Sequence, residues 1–298
     1  MKTYDRAILG AFNETLSSRQ PKASAEIGVF DSGLGGLSVL RALQVAMPTA
    51  NFLYLADSAF APYGERQSDE VARRSVHITE FLIASGAAGV VVACNTATAA
   101  AIVALRARWP LLPLVGVEPG LKPAVAASRN GRIGVMATPA TLASKRFEQL
   151  REAQSQGSFV LRMPCPGLAD LIEQGDLDAP SLIDAVQHFC EPLRRAEVDT
   201  VVLGCTHYPL VAHHIQAALG EHVQLIDTAD AVARHAAQQF GSAHEDAAAT
   251  ASVTLLTTGN AAQRCALETV AGLYLPMAAR AQQTDLNHGA VHATDRAA

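Results

Sequence analysis

The sequence is poor in aromatic residues, which make up 5% of its 298 residues, whereas hydrophobic residues as a whole make up 49%. Ala, Val and Leu must therefore build the interior, a composition that favours parallel sheets covered by helices over aromatic-rich sandwiches. No stretch reaches the roughly 20 apolar residues of a membrane-spanning helix, and the first residues lack the apolar run of a signal peptide. We therefore expect no membrane partner and no secretory leader.

The chain also lacks a basic cluster, because its 23 Lys and Arg stand against 28 Asp and Glu for a net charge of −5. Nucleic acid is therefore not an expected partner, since a phosphate backbone requires a Lys/Arg surface. No C-x-x-C pair is present, so neither a disulfide framework nor a thiolate zinc site is expected, and no metal site is predicted. Scattered free cysteines fit a reducing cytoplasm. The five cysteines are Cys94, Cys165, Cys190, Cys205 and Cys265.

Short apolar runs alternate with helical patterns from Glu26 onward, which predicts an α/β fold with parallel sheets. The first cycle has strands at Ile27–Phe30, Asn51–Leu55 and Gly89–Ala93 and helices at Leu37–Met47, Ser68–Ser85 and Thr96–Arg108. A second cycle begins near Pro119, with strands at Arg132–Met136, Phe159–Met163 and Thr200–Leu203 and helices at Ala140–Gln154, Leu168–Glu173 and Pro180–Arg195. Gln224–Ile226 and Val253–Thr257 are predicted as late strands that could return to the first sheet.

The two cycles share a short internal repeat. Val90-Val-Val-Ala-Cys94-Asn-Thr96 is similar to Val201-Val-Leu-Gly-Cys205-Thr-His207, and each copy is a buried strand followed by a cysteine. Because ligands in open α/β sheets bind at the carboxyl ends of the strands, two such half-sites facing each other would present one thiol to each side of a substrate. A helix beginning at these cysteines is expected to lower the thiol pKa. Cys165, Cys190 and Cys265 are interpreted instead as small core residues.

Two further motifs place polar groups at strand ends. Asp31-Ser-Gly-Leu-Gly-Gly36 follows the first strand but lacks the G-x-G-x-x-G spacing of a dinucleotide site. One alternative is that the loop holds a carboxylate and a hydroxyl at the sheet edge, while its glycines permit close approach of the backbone. The other alternative is a plain strand–helix turn. Gly204-Cys-Thr-His-Tyr-Pro209 brings a thiol, a hydroxyl and an imidazole together, so His207 is interpreted as an acid–base auxiliary.

These motifs, with Pro62-Tyr-Gly64 and Gly116-Val-Glu-Pro-Gly-Leu-Lys-Pro-Ala124, occur in the order found in glutamate racemases of the aspartate/glutamate racemase family, which the chain resembles from about Glu26 to Pro276. The resemblance implies two similar parallel-sheet α/β domains with the active site in the cleft between them. It also implies that the enzyme makes D-glutamate for peptidoglycan synthesis in a bacterial cytoplasm. The expected partner is a small molecule, L- or D-glutamate. Whether the chain forms a homodimer is left open.

The predicted domain organisation has four parts. They are a flexible N-terminal extension (1–25), a first domain (26–118 plus 229–276), a second domain (119–228) and a flexible C-terminal tail (277–298).

The resemblance assigns roles residue by residue. It places the catalytic thiols at Cys94 and Cys205, with Asp31, His207 and, through a looser motif, Glu173 as auxiliaries. Asp31 and His207 are also expected to contact the substrate. The other expected substrate contacts are Ser32, Tyr63, Gly64, Asn95, Thr96 and Thr206. One departure is Thr257-Thr-Gly-Asn260, where family members often end in Asp.

No cofactor is expected. Pyridoxal phosphate, which acidifies the α-proton in most racemases, needs a Schiff-base lysine, and none of the four lysines lies in a recognisable cofactor motif. A direct mechanism follows, in which one thiolate removes the proton while the opposite thiol donates one. The alternatives are a relative acting on aspartate, a hydantoin or an arylmalonate, a cysteine hydrolase, and a non-catalytic amino-acid binding protein. A hydrolase or a binding protein would leave the second thiol unexplained.

Overall fold

The computed structural model describes residues 26–241, 251–276, 281–284 and 286, which form two sheets with parallel strand pairing throughout. The predicted extension, 1–25, lies outside the described residues. The strands are β1 (Glu26–Asp31), β2 (Asn51–Ala56), β3 (Ala87–Val92), β4 (Leu114–Gly116), β5 (Arg132–Ala137), β6 (Phe159–Pro164), β7 (Thr200–Leu203), β8 (Gln224–Ile226), β9 (Val253–Thr257) and β10 (Ala281–Gln283).

Helices connect successive strands, as a parallel sheet requires. They are α1 (Leu37–Ala46), α2 (Ser68–Ala84), α3 (Asn95–Arg108), α4 (Leu121–Ala127), α5 (Pro139–Ala143), α6 (Lys145–Gln154), α7 (Leu168–Glu173), α8 (Pro180–Arg195), α9 (Ala212–Leu219), α10 (Ala229–Phe240) and α11 (Ala261–Tyr274). Two 3₁₀ turns, at Tyr63–Glu65 and Tyr208–Val211, complete the described elements.

The first sheet has the strand order β10-β9-β2-β1-β3-β4 and the second has the order β6-β5-β7-β8. The chain enters the second sheet after β4 and returns to the first with β9, so the first domain is built from two separate segments. The parallel pairing places the carboxyl ends of all strands of a sheet at one edge. The domain boundaries predicted at residues 118 and 229 stay predictions.

Both sheets are covered on their two faces. In β1, Ile27 and Val29 pack into one apolar cluster with Leu40 of α1, whereas Phe30 packs into another with Ile78 of α2. This alternation follows from the period of two along a strand. The second sheet behaves in the same way, with Ile133 and Val135 against α6 and Met136 in the cluster that contains residues of α8. The near-continuous apolar composition of the strands is explained by this double burial.

Three sequence predictions require correction. Gln224–Ile226 does not return to the first sheet but pairs with β7 in the second. The predicted helix Ala140–Gln154 is two helices, because the Ser144 side chain accepts a hydrogen bond from the Phe147 amide and begins a new helix. Part of the tail predicted as flexible after residue 276 is a strand, β10, which pairs with β9. Among the described helices, none is long and apolar enough to cross a membrane.

Candidate active site

The predicted site residues converge on one cleft at the carboxyl ends of the two sheets. Asp31 is the last residue of β1, while Cys94 and Cys205 each follow their strand, β3 or β7, by two residues. Asp31 is fully buried, one layer behind Ser32. The other predicted residues all line the cleft, namely Ser32, Tyr63, Gly64, Cys94, Asn95, Thr96, Glu173, Cys205, Thr206 and His207.

Cys94 lies in a carboxylate environment. The Asp31 carboxylate accepts hydrogen bonds from the Ser32 amide (2.6 Å) and from the Thr206 hydroxyl (3.0 Å), so it links the two domains. Cys94 is the N-cap residue of α3 and accepts a hydrogen bond from the Ala97 amide at 3.5 Å. Cys94 Sγ lies 4.0 Å from the Ser32 hydroxyl.

The expectation of a lowered pKa is wrong for Cys94. Burial raises the pKa of this thiol well above its ordinary value, the nearby Asp31 carboxylate raises it further, and the Ala97 amide opposes them without prevailing. Burial likewise raises the pKa of Asp31, although the proximity of His207 acts in the opposite direction. Desolvation of the charged form therefore outweighs the effect of the helix terminus on the pKa of Cys94.

Cys205 has an imidazole as its neighbour. His207 Nδ1 lies 3.6 Å from Cys205 Sγ, and His207 Nε2 lies 2.5 Å from Glu173 Oε1. The Leu34 amide donates to the same Glu173 oxygen at 2.7 Å. Burial by itself lowers the pKa of His207, but its hydrogen bonds to Cys205 and Glu173 outweigh burial and raise the pKa well above its ordinary value. The result is a thiol–imidazole–carboxylate chain.

The glycines after β1 explain how this chain is assembled. A Cβ atom on Gly33 would lie 2.0 Å from Glu173 Oε1, and one on Gly35 would lie 2.3 Å from His207 Nδ1. The backbone of the first domain thus approaches these side chains of the second domain so closely that a Cβ atom at either glycine would require Glu173 or His207 to move. The glycine-rich loop therefore serves close approach and is more than a strand–helix turn.

Tyr63 and Gly64 line the edge of the cleft, and Tyr63 is held there by the ion pair between Asp57 and Arg74. The Tyr63 hydroxyl donates to Asp57 Oδ2 at 2.7 Å, and Arg74 binds both oxygens of that carboxylate. A Cβ atom on Gly64 would lie 2.8 Å from Thr138 Cβ, across the interface of the domains. In this arrangement the hydroxyl of Tyr63 anchors the loop, so a contact to substrate falls to other parts of the residue.

Several residues that line the cleft were not predicted from the sequence. Thr138 directly follows β5 and Cys165 directly follows β6, and both line the cleft. The Thr96 and Thr138 hydroxyls lie 2.9 Å apart and connect the domains. Applying the strand-end rule to every strand would have found both residues. Cys165 is buried as expected but borders the cleft, and Cys190 is buried, whereas Cys265 is exposed and is not the core residue predicted.

The cleft offers hydrogen-bond donors to an anion without a lysine or arginine side chain. The lining residues include no lysine or arginine. The side-chain nitrogen of Asn95 is buried without a hydrogen-bond partner, and it lies at the N-terminus of α3. A helix N-terminus with an unpaired amide donor is suited to a carboxylate ligand. Lys122 and Lys145, the two lysines in the described part of the chain, are exposed and lie outside the cleft.

Comparison with known proteins defines the class. The sequence profile of the Asp/Glu/Hydantoin racemase family matches residues 36–236, and the chain belongs to this family. The resemblance seen in the sequence is thereby confirmed, and the chain is a racemase. Among its relatives, the glutamate racemase from Ralstonia nicotianae is 44% identical over 271 residues, which are 91% of this chain and 96% of that protein.

Solved structures agree. A glutamate racemase isoform from Bacillus anthracis matches with a TM-score of 0.77 at 32% identity, over 89% of this chain and 99% of that one. The Escherichia coli glutamate racemase, solved in complex with L-glutamate and the activator UDP-MurNAc-ala, matches with a TM-score of 0.78 at 29% identity, over 87% and 98% of the two chains. These likenesses confirm the predicted fold class of two parallel-sheet α/β domains.

Proposed function

We propose that the protein interconverts L- and D-glutamate without a cofactor, by a two-base mechanism that uses Cys94 and Cys205. The observation that carries this proposal is the pair of buried thiols lining one cleft, each with a different proton partner. The substrate follows from the similarity to glutamate racemases over nearly the whole chain.

The chemistry requires two groups in opposite protonation states. For L-glutamate, Cys205 acts as thiolate and removes the α-proton, while Cys94 delivers a proton to the other face of the carbanion. The roles exchange for D-glutamate. The raised pKa of Cys94, caused by burial and Asp31, suits the donor, and His207 takes up or returns the proton of Cys205.

The remaining groups bind and orient the substrate. Asn95 and the N-terminus of α3 hold a carboxylate, supported by the hydroxyls of Ser32, Thr96 and Thr206. Because these donors are buried, closure of the two domains around the substrate removes competing water and strengthens each contact. The thiol–imidazole–carboxylate chain by itself would also suit a cysteine hydrolase, but such an enzyme would have no use for Cys94.

Solvent isotope labelling tests the mechanism. In heavy water, D-glutamate formed from L-glutamate should carry a solvent deuteron at Cα, while the remaining L-glutamate stays unlabelled early in the reaction. Each face is then served by its own thiol. Equal deuterium in recovered substrate and in product would mean that one base visits both faces, and the two-thiol mechanism would have to be abandoned.

Substrate choice and cellular role are tested separately. Purified enzyme should turn over L-glutamate faster than L-aspartate or a hydantoin, and circular dichroism at fixed enzyme concentration measures all three. We also propose that the D-glutamate supplies peptidoglycan synthesis in the cytoplasm. Expression of the chain should therefore remove the D-glutamate requirement of a bacterium that lacks its own racemase, and a Cys205→Ala variant should not.

A further inference from the structure

Two histidines and an aspartate come together in the second domain, and none of them lines the cleft. Within the described residues, Asp178, His213 and His214 form the group whose potential metal-ligand atoms all lie within 4.8 Å of one another. Asp178 lies in the connection between α7 and α8, and the two histidines lie in the first turn of α9.

The distances suit a small ion. Asp178 Oδ1 lies 2.9 Å from His214 Nε2 and 3.5 Å from His213 Nε2. In a tetrahedral zinc site with bonds of about 2.0–2.1 Å, neighbouring ligand atoms are roughly 3.3–3.5 Å apart. Small rotations of exposed side chains would bring all three atoms to that spacing. The Leu177 carbonyl oxygen, 3.0 Å from His214 Nε2, lies beside the same point.

We propose that Asp178, His213 and His214 bind one divalent transition-metal ion of the Zn²⁺ class. Two imidazoles and one carboxylate favour Zn²⁺, Cu²⁺ or Ni²⁺ over Mg²⁺ or Ca²⁺, which prefer oxygen ligands alone. His213 and Asp178 are exposed, so the ion reaches the site from solvent and keeps water in its fourth position. No metal site was predicted from the sequence, which lacks paired cysteines, and the spacing of these three ligands along the chain gives no local motif.

The position of the ion gives it a structural consequence. Asp178 follows Glu173 in the chain, and His213 follows His207 after one 3₁₀ turn. Glu173 and His207 are the pair joined at 2.5 Å behind Cys205. A metal bridging Asp178 to α9 therefore ties together the two segments that carry this pair, and it should raise the melting temperature of the folded chain.

The test uses the full, untagged chain, since a polyhistidine tag would itself bind zinc. The metal-free protein is titrated with Zn²⁺ by calorimetry, alongside Asp178→Asn, His213→Gln, His214→Gln and the control His222→Gln, which changes an exposed histidine of the same domain. We expect one equivalent of Zn²⁺ and a melting temperature that rises with added Zn²⁺ in the unaltered and control proteins. Loss of outer-shell groups weakens metal sites by about 10- to 100-fold, so each ligand variant should bind at least about tenfold more weakly.

Titration with Co²⁺ separates this site from the active-site thiols. A thiolate–cobalt charge-transfer band in the near ultraviolet should be absent, because the ligands are nitrogen and oxygen. Melting curves recorded without metal show that each variant is folded. Three results would overturn the proposal: no binding at micromolar Zn²⁺, equal affinity in the ligand variants and the control, or a thiolate band that the histidine substitutions leave unchanged.

Discussion

Cys94 and Cys205 end strands of the same kind, yet their surroundings differ in charge. Cys94 begins a long helix and has the buried carboxylate of Asp31 as its neighbour. Cys205 leads into a short 3₁₀ turn and contacts the imidazole of His207, which Glu173 holds in place. The two half-sites therefore share a buried strand that ends two residues before the cysteine, but they differ in the element that follows and in the side chains beside the thiol.

The difference bears on how the proposed mechanism could serve both faces of a substrate. A racemase needs a proton donor on one side when it has an acceptor on the other, and different surroundings are one way to hold two thiols in opposite protonation states. Here burial and the Asp31 carboxylate raise the pKa of Cys94, while Cys205 Sγ has the imidazole of His207 as its neighbour.

Loss of either thiol should have the largest effect. Cys94→Ser and Cys205→Ser should each lower turnover in both directions by about 1000-fold, because a hydroxyl is too weak an acid to replace a thiol in proton transfer. Polarimetry with each enantiomer measures the rates, and calorimetry should show that glutamate still binds. Cys265→Ser, at an exposed position on α11, is the matched control and should keep full activity. A catalytic variant within tenfold of the unaltered enzyme would refute the pairing.

The two auxiliaries should affect opposite proton transfers. Glu173→Gln and Asp31→Asn should each slow racemisation by about 100-fold, the size expected from misplacing a reacting group. Because the enantiomers have equal free energy, kcat/KM must stay equal in both directions, so the asymmetry has to be measured with α-deuterated substrates. Glu173→Gln should increase the isotope effect for L-glutamate and decrease it for D-glutamate, and Asp31→Asn should do the reverse. Identical changes in both variants would contradict the division of roles.

The His207–Glu173 pair should also make the stability of the fold depend on pH. The folded protein raises the pKa of His207 above its ordinary value of 6.5. The protonated imidazole therefore adds to the free energy of unfolding in full below pH 6.5, and this addition is lost as the pH rises through the raised pKa. Each pKa unit between the folded and unfolded states corresponds to about 1.4 kcal/mol of the free energy of unfolding. Glu173→Gln lowers this pKa, so the melting-temperature difference between the unaltered enzyme and the variant should shrink as the pH increases above 6.5. A difference that is constant with pH would count against the pair.

The smallest effect concerns a strand end outside the site. Asn260 follows β9 and caps α11, accepting hydrogen bonds from the Ala262 and Gln263 amides, both at 3.0 Å. Asn260→Ala should therefore destabilise the fold by about 1 kcal/mol without changing the racemase rate, whereas Asn260→Asp should be neutral. Thermal unfolding and polarimetry measure the two quantities. A changed rate in Asn260→Asp would mean that the departure from the family's usual Asp has a catalytic role.

Much of the fold could be predicted because local patterns determined it. The helices predicted at Leu37–Met47 and Ser68–Ser85 end within one residue of α1 and α2, since apolar spacing defined the buried face. The helices α4, α9, α10 and α11 and the strand β4 were not predicted. The strand β10 was assigned to a tail, because three residues carry no periodicity of their own. Its strand geometry comes from pairing with β9.

The groups that stand at the strand ends can be read from the sequence, since Cys94, Cys205 and the glycine-rich loop belong to contiguous motifs. The environment of those groups depends on how distant segments pack together. The raised pKa of Cys94 depends on burial and on Asp31, and the contact of His207 with Glu173 joins residues on separate segments. The same holds for Asp57 with Arg74 and for the proposed metal ligands. Burial and distance arise when segments pack together, so no local pattern contains them.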